Sequence, residues 1–275
     1  MENSICVTCG VQFAATDEPP ERCPVCEDQR QYVGYDGQQW TTLETLRQDH
    51  HAVIKPEEAR LTGIGTDPDF AIGQRALLVQ TPTGNVLWDC ISLLDDPTIA
   101  AVEALGGISA IAISHPHFYA SMVEWSRAFD APIHLHAADR QWVMRPDPAV
   151  MFWEGETRSL ADGVTLIRCG GHFAGGTVLH WTGGAEGRGA LLSSDILTVV
   201  ADRRYLSFMY SYPNLIPLPA GAIEGIVSAL EPFRYDRIYG AWWQRVVAGE
   251  GEAAVARSAA RYLGAIRGEQ KEVGS

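Results

Sequence analysis

Four of the six cysteines stand within the first 26 residues, as Cys6-Val-Thr-Cys9 and Cys23-Pro-Val-Cys26. Each CxxC is a turn that can aim two thiolates at one metal, and the 13 residues between the pairs suffice for an intervening hairpin. Four sulfurs make a closed tetrahedral site, for which Zn2+ in a structural role is the first expectation and iron the alternative. A pair of disulfides is the competing reading, and it suits a secreted chain better than this one. A second constellation follows much later. Ser114-His115-Pro-His117 ends one apolar run, Gly170-Gly171-His172 follows another, and Ser193-Ser194-Asp195 ends a third. Three imidazoles and a carboxylate suit zinc and also non-haem iron, and such a site can keep one position open for water or substrate.

The elements that must position these residues read as alternating β and α. Thr41 and Glu44 form a capping box before a short helix through Leu43, Leu46 and Arg47, and Gly63-Ile-Gly65 with Asp67-Pro68 breaks the chain. A hairpin is predicted from Ala76–Gln80 through Thr81-Pro-Thr-Gly-Asn85 into Val86–Asp89. A helix capped at Asp96-Pro97 is stopped by Gly106-Gly107. The strand Ile108–Ile113 leads to the first histidines. A second capping box, Ser121 with Glu124, opens a helix carrying Met122, Trp125 and Phe129, and Pro132–Leu135 is the next strand. Further strands are predicted near Val164–Ile167, Thr177–Trp181, Ala190–Leu192 and Arg237–Tyr239. One late helix carries Ile223, Ile226, Val227 and Leu230 on a stripe, and a C-terminal one carries Val255, Ala259 and Tyr262. Mixed α/β layers are the natural architecture.

Residues 1–40 carry seven acidic and two basic side chains, all four clustered cysteines and no periodic apolar element. They are expected to form a small module held by its metal, a possible protein contact, with residues 41–275 as the main domain. Acidic side chains outnumber basic ones 34 to 21, for a formal charge of −13. With no basic cluster, this argues against a nucleic-acid partner and for a small-molecule substrate. No run of about 18 apolar residues indicates a membrane span. Met1-Glu2-Asn3 opens no secretory signal, so a cytoplasmic protein is expected. Cys90 and Cys169 read as buried thiols, His134 and His136 as residues of a strand, and His50-His51 as an exposed pair without partners.

Together these positions resemble the metallo-β-lactamase superfamily over roughly residues 60 to 245. The family's order is an aspartate ending an early strand, an HxHxDH loop opening a helix, a lone histidine, a bridging aspartate and a last histidine. Asp89, His115 with His117, His172 and Asp195 match in that order. The departures are Tyr119 for the loop's aspartate, Ala120 for its second-site histidine and Trp242 or Trp243 for the last histidine. All three fall on the second metal site. The resemblance therefore implies a four-layer αββα sandwich with a mononuclear site on His115, His117, His172 and Asp195. Asp89 would support the loop, and Tyr119, Trp242 and Trp243 would face the site as pocket walls.

The activity that the resemblance implies is metal-dependent hydrolysis, in which a water activated on zinc attacks an ester, thioester, amide or lactone carbonyl. Asp195 would ligate or orient that water, and Tyr119 would donate a hydrogen bond where the second metal is missing. One alternative is an Fe(II) dioxygenase using His115, His172 and Asp195, as in persulfide dioxygenases of the superfamily. The other is a non-catalytic metal-binding or interaction protein.

Overall fold

The computed structural model describes residues 1–269, so residues 270–275 of the expected main domain lie outside the described residues. Two sheets dominate. The first has seven strands in sequence order, His51–Glu58, Leu61–Asp67, Ala76–Val79, Val86–Trp88, Ala110–Ala112, Ile133–His136 and Val150–Trp153. Its early strands are antiparallel hairpins, and its last four run parallel through crossovers that carry the helices Asp96–Ala104 and Met122–Phe129. The second has six strands, in the order Thr157–Ala161, Val164–Arg168, Thr177–Trp181, Ala190–Ser194, Arg237–Gly240 and Val246–Val247. Its one parallel pairing, Ala190–Ser194 with Arg237–Gly240, is crossed over by the helix Ala220–Leu230.

The central strands are apolar on both faces, and the two-residue period divides each between two cores. Leu77, Val79, Val86, Trp88 and Ala112 of the first sheet meet Leu166, Leu179, Trp181, Ala190, Leu192 and Tyr239 of the second. The alternate residues face outward. Leu78, Leu87 and Ile111 pack beneath Val102, Met122 and Trp125 of the first sheet's helices. Ile167, Val178, Leu191 and Ile238 pack beneath Ile223, Ile226, Val255 and Ala259 of the helices Ala220–Leu230 and Gly251–Ile266. The layers are thus helix, sheet, sheet, helix, the expected αββα sandwich.

The cysteine-bearing segment joins the first of these helical layers. Cys6, Val11 and Val25 belong to the same core as Ile91, Leu94 and Met122. Main-chain bonds from Gln12 to Ala120 and from Ala14 to Met144 stitch it on. Its strand Ile5–Cys6 pairs with Trp40–Thr41, so a boundary after residue 40 falls inside a strand.

Local signals shift in three places. The helix Leu43–Asp49 is capped by Thr42, whose hydroxyl accepts from the Thr45 N–H, rather than by Thr41. Asp95, one residue before the expected Asp96, caps the next helix through Thr98. Ser121 opens Met122–Phe129 without a side-chain cap bond, and its hydroxyl instead donates to the carbonyls of Ile91 and Ser92. A larger departure is Gly63-Ile-Gly65, expected to break the chain but set inside the strand Leu61–Asp67. The indole of Trp243 occupies the space of their missing side chains: a Cβ on Gly63 would lie 2.7 Å from the ring and one on Gly65 2.8 Å. Gly65→Val is therefore expected to destabilise the fold by about 1–3 kcal/mol through overpacking. Urea unfolding checks this, and an unchanged midpoint would contradict the contact.

Candidate metal centres and the cavity between them

In the N-terminal segment all four cysteine sulfurs lie within 4.8 Å of one another. Cys6 and Cys26 Sγ are 3.5 Å apart and Cys9 and Cys23 Sγ 3.7 Å. A disulfide needs about 2.05 Å, whereas sulfurs around a tetrahedral metal at about 2.3 Å sit roughly 3.8 Å apart. All six cysteines are free. With only protons available, thiol donation from Cys23, Cys26 and Cys9 holds Cys6 down as a thiolate, while the hydrogen bond with Cys23 pushes the Cys9 thiol up. Four thiolates coexist here only around a cation, and the donor set fits one.

The histidine site gathers where strands of both sheets end. His115 follows Ala110–Ala112, His172 follows Val164–Arg168, and Asp195 follows Ala190–Ser194. His115, His117 and His172 each offer a nitrogen within 4.8 Å of the others, and all three are buried. The Nδ1–H of His172 donates to the Met209 carbonyl at 3.1 Å, which makes its Nε2 the lone-pair side, and in the absence of metal that nitrogen accepts from His117 Nδ1 at 3.2 Å. His115 Nε2 lies 3.4 Å from Asp195 Oδ1. His115 Nε2, His117 Nε2 and Asp195 Oδ1 are buried without hydrogen-bond partners. Phe118 and Phe173 wall the imidazoles at ring-centroid distances of 4.7–5.3 Å.

The electrostatics follow from this burial. Loss of water pushes the pKa values of His115 and His117 well down and that of His172 to about 4, so all three are neutral, the form that ligates metal. Burial, then the nearby Asp89, pushes Asp195 well above the usual carboxylate range. Asp89 is raised to about 6 by burial against the pull of two donors, the Ser194 hydroxyl and the Ser114 N–H at 2.8 Å. It thus ties the loop before His115 to the loop before Asp195. Asp89 and Ser194, which bond to one another beside Asp195, adopt left-handed φ values of 60° and 51°, which cost energy in residues with a side chain.

A cavity of about 250 Å³ opens beside these groups, lined by His117, His172, Asp195, Tyr212, Trp242, Ala71, Ile72 and Pro213, with Arg30, Gln31 and Tyr32 from the cysteine segment. A larger groove of about 660 Å³ shares Trp242 but holds none of the histidines, so the chemistry belongs to the smaller space. Tyr119 is a correction to the sequence reading. It lies with Val11, Gln12, Ala120 and Met122 in a cleft under the cysteine segment rather than in the cavity. The short helical turn Pro116–Phe118 and the left-handed Ala120 carry it there. Two tyrosines line the cavity instead, Tyr32 and Tyr212, and the Tyr212 hydroxyl donates to the Asp195 carbonyl at 2.5 Å. Of the two tryptophans only Trp242 is a wall, since Trp243 is spent on Gly63 and Gly65. The thiol of Cys90 is buried, and Nε2 of His136 meets the Gly155 carbonyl at 3.2 Å.

Sequence reading missed Arg30, Gln31, Tyr32 and Tyr212. Arg30 pairs with Asp28 at 2.5 and 2.9 Å, stacks 3.9 Å above the Phe173 ring and donates to the His172 carbonyl. That pairing holds the Asp28 carboxyl below its usual range. No spacing rule connects residues so far apart in the chain.

Solved structures with similar backbones are metallo-β-lactamases. One is DIM-1 exposed to ceftazidime, with a TM-score of 0.58 at 11% identity over 78% of this chain and 98% of that one. Another is the Cronobacter sakazakii enzyme carrying a mutated HARLDQ motif, with a TM-score of 0.51 at 20% identity over 78% and 96%. The protein therefore has the metallo-β-lactamase fold. It belongs to the family of the uncharacterized protein YmaE of Bacillus subtilis (strain 168), to which it is 52% identical over 267 residues, 96% of this chain and 97% of that protein. No family model matches the chain. No described helix is long and apolar enough to cross a membrane.

Two measurements test the geometry. Elemental analysis of the purified protein is expected to find two metal ions per chain, one lost in His115→Ala and the other retained. Three ions in the parent, or two in the variant, would contradict the grouping. In metal-free protein the His172 imidazole, with its pKa lowered to about 4, should stay neutral from pH 7 down to that value and protonate below it. An NMR titration midpoint near 6.5 would place the ring in water instead.

Proposed function

We propose that the protein is a metal-dependent hydrolase with a mononuclear site on His115, His117, His172 and Asp195, acting on an ester, thioester, amide or lactone carbonyl. The observation that carries this reading is the pair of unpartnered buried atoms, His115 Nε2 and Asp195 Oδ1, 3.4 Å apart behind a cavity that Asp195, His117 and His172 line. Three neutral imidazoles and one carboxylate fit Zn2+, and the four cysteines fit a second, structural Zn2+. Support for a single metal in the main domain comes from the ligand groups: among the described residues only the cysteine and histidine sets bring three or more ligands together.

The zinc, when bound, supplies Lewis acidity and lowers the pKa of a water in the cavity toward neutrality. Asp195, whose Oδ1 is buried 3.4 Å from His115 Nε2 without a hydrogen-bond partner, would accept a proton from that water or hold its orientation. Its own ionisation is opposed by burial and by Asp89, and a cation beside it restores the carboxylate. Tyr212 fixes the main chain that carries Asp195, and Asp89 fixes it from the other side through Ser194. Phe118, Phe173 and Trp242 exclude bulk water from the ligands, which strengthens each polar contact within. The cavity accepts a small-molecule substrate rather than a polymer strand.

The test is turnover of p-nitrophenyl esters and small thioesters by zinc-loaded protein. His172→Ala and Asp195→Ala should each lower kcat/KM by roughly 100-fold or more, whereas Tyr119→Phe, outside the cavity, should change it little. Oxygen uptake on a persulfide with Fe(II) alone would favour a dioxygenase. Absence of turnover with either metal would favour a binding protein.

A further inference from the structure

The segment that carries the four cysteines sends one side chain across to the histidine site. Its helical turn Pro24–Glu27 contains Cys26 and ends at Asp28. Asp28 Oδ1 accepts from the Arg30 N–H at 3.0 Å and from Arg30 Nε at 2.5 Å, and Oδ2 accepts from Nη2 at 2.9 Å. The guanidinium is thus locked to the turn that leaves the sulfurs. Its remaining nitrogen, Nη1, donates to the His172 carbonyl at 3.3 Å. The two side chains are only 15% and 18% exposed, and the rings of Trp142, Phe173 and Tyr210 surround the guanidinium at 5.3, 3.9 and 5.7 Å. A guanidinium held bidentate and stacked in this way has little freedom, so the carbonyl it reaches is held with it.

His172 sits on main chain that depends on such a hold. Gly170 and Gly171 precede it with left-handed φ values of 66° and 78°, a region glycine enters freely, and they bring no side chain to stiffen the approach. The imidazole is fixed through Nδ1 on the Met209 carbonyl, and the main chain of the same residue through Arg30. Together the two bonds set the direction of Nε2.

Charge and geometry pull opposite ways here. Burial is the main cause of the lowered pKa values of His115, His117 and His172, and the Arg30 charge adds to it. A cation that disfavours a proton on these rings also disfavours a metal ion among them, and removing it would leave the Asp28 carboxylate unpaired nearby. On charge alone, the histidines would bind metal better without Arg30. What Arg30 contributes is position.

We propose that Arg30 is a positioning residue through which the four-cysteine centre governs the histidine centre. Metal on the sulfurs fixes the turn Pro24–Glu27, Asp28 transmits that order to the guanidinium, and the guanidinium holds His172 in its ligating orientation. Occupancy of the first site thereby raises the metal affinity of the second, and by linkage the reverse holds. This rests on both sites taking a metal, not on the reaction that follows.

The experiment titrates Co2+ into full-length protein whose histidine site has been emptied by a mild chelator while zinc stays on the cysteines, and follows the ligand-field bands of cobalt held by nitrogen and oxygen. Arg30→Met and Arg30→Lys should each weaken this binding about tenfold, with zinc content unchanged. Both should also shift the bands at saturation, which a loss of overall stability would not do. Cys26→Ser should weaken Co2+ binding too, yet add little in the Arg30→Met background. Asp28→Asn takes its place if the serine variant does not fold. Tighter binding by Arg30→Met with parental binding by Arg30→Lys would show that charge alone acts, and would overturn the proposal. So would parental affinity and bands in both variants, weaker binding with unshifted bands, an effect of Cys26→Ser undiminished by Arg30→Met, or no metal on the parent's cysteines. Dependence on Arg30 without turnover of any ester would remove the hydrolase reading and leave the coupling. Turnover with Co2+ affinity independent of Arg30 would do the reverse.

Discussion

Desolvation of three imidazoles and one carboxylate beyond the ends of three strands is the constraint on which the rest of this structure depends. Removing such groups from water without partners costs several kcal/mol in total, and the chain itself supplies none for His115 Nε2, His117 Nε2 or Asp195 Oδ1. A cation bound among them would offset that cost, and the surrounding elements hold the donors in place for it. Asp89 illustrates the holding function. It is buried, left-handed in φ and raised to about 6 by that burial, against the pull of the Ser114 N–H and the Ser194 hydroxyl, to which its two oxygens are bonded.

Much of this was legible in the sequence, and for a physical reason. Ligands at strand ends are marked by the strands that precede them, and fully buried strands announce themselves as short apolar runs such as Ala76–Val79, Thr177–Trp181 and Ala190–Ser194. The order of Asp89, His115, His117, His172 and Asp195 along the chain then carried the fold resemblance. What failed was whatever depended on a partner distant in sequence. Gly63 and Gly65 looked like chain breakers because their meaning lies in the ring of Trp243. Ser121 looked like a helix cap because nothing local shows that Ile91 and Ser92 claim its hydroxyl. Tyr119 was assigned by position in a motif, and a single left-handed residue, Ala120, accompanies its placement in another cleft.

The missing second metal site has a structural counterpart in what replaced it. Where the superfamily's loop carries an aspartate and a histidine, Tyr119 and Ala120 are buried apolar contacts with Val11, Gln12 and Met122, and so help to seat the cysteine segment. Trp242, at the position of the family's last histidine, is held by its indole N–H on the Ile72 carbonyl, and buried Arg75 donates to the carbonyls of Gly240 and Trp242. In this chain those positions pack against the N-terminal segment and against the main chain at Ile72.

That wall makes the two candidate metal centres mechanically related. Cys26 is followed within a few residues by Asp28 and Arg30, and Arg30 reaches the His172 carbonyl and the face of Phe173. A 40-residue segment of this kind has too small a core to hold such geometry alone, so the four sulfurs and whatever they bind must fix the turn from which Arg30, Gln31 and Tyr32 project. The segment also owes part of its order to the main domain, through Ser211 and Asn214, which hold the carbonyls of Arg30 and Gln31. The shape of the cavity is therefore set jointly. A change at the cysteine cluster would be felt first at the substrate wall, and at the histidines only through one guanidinium and one carbonyl.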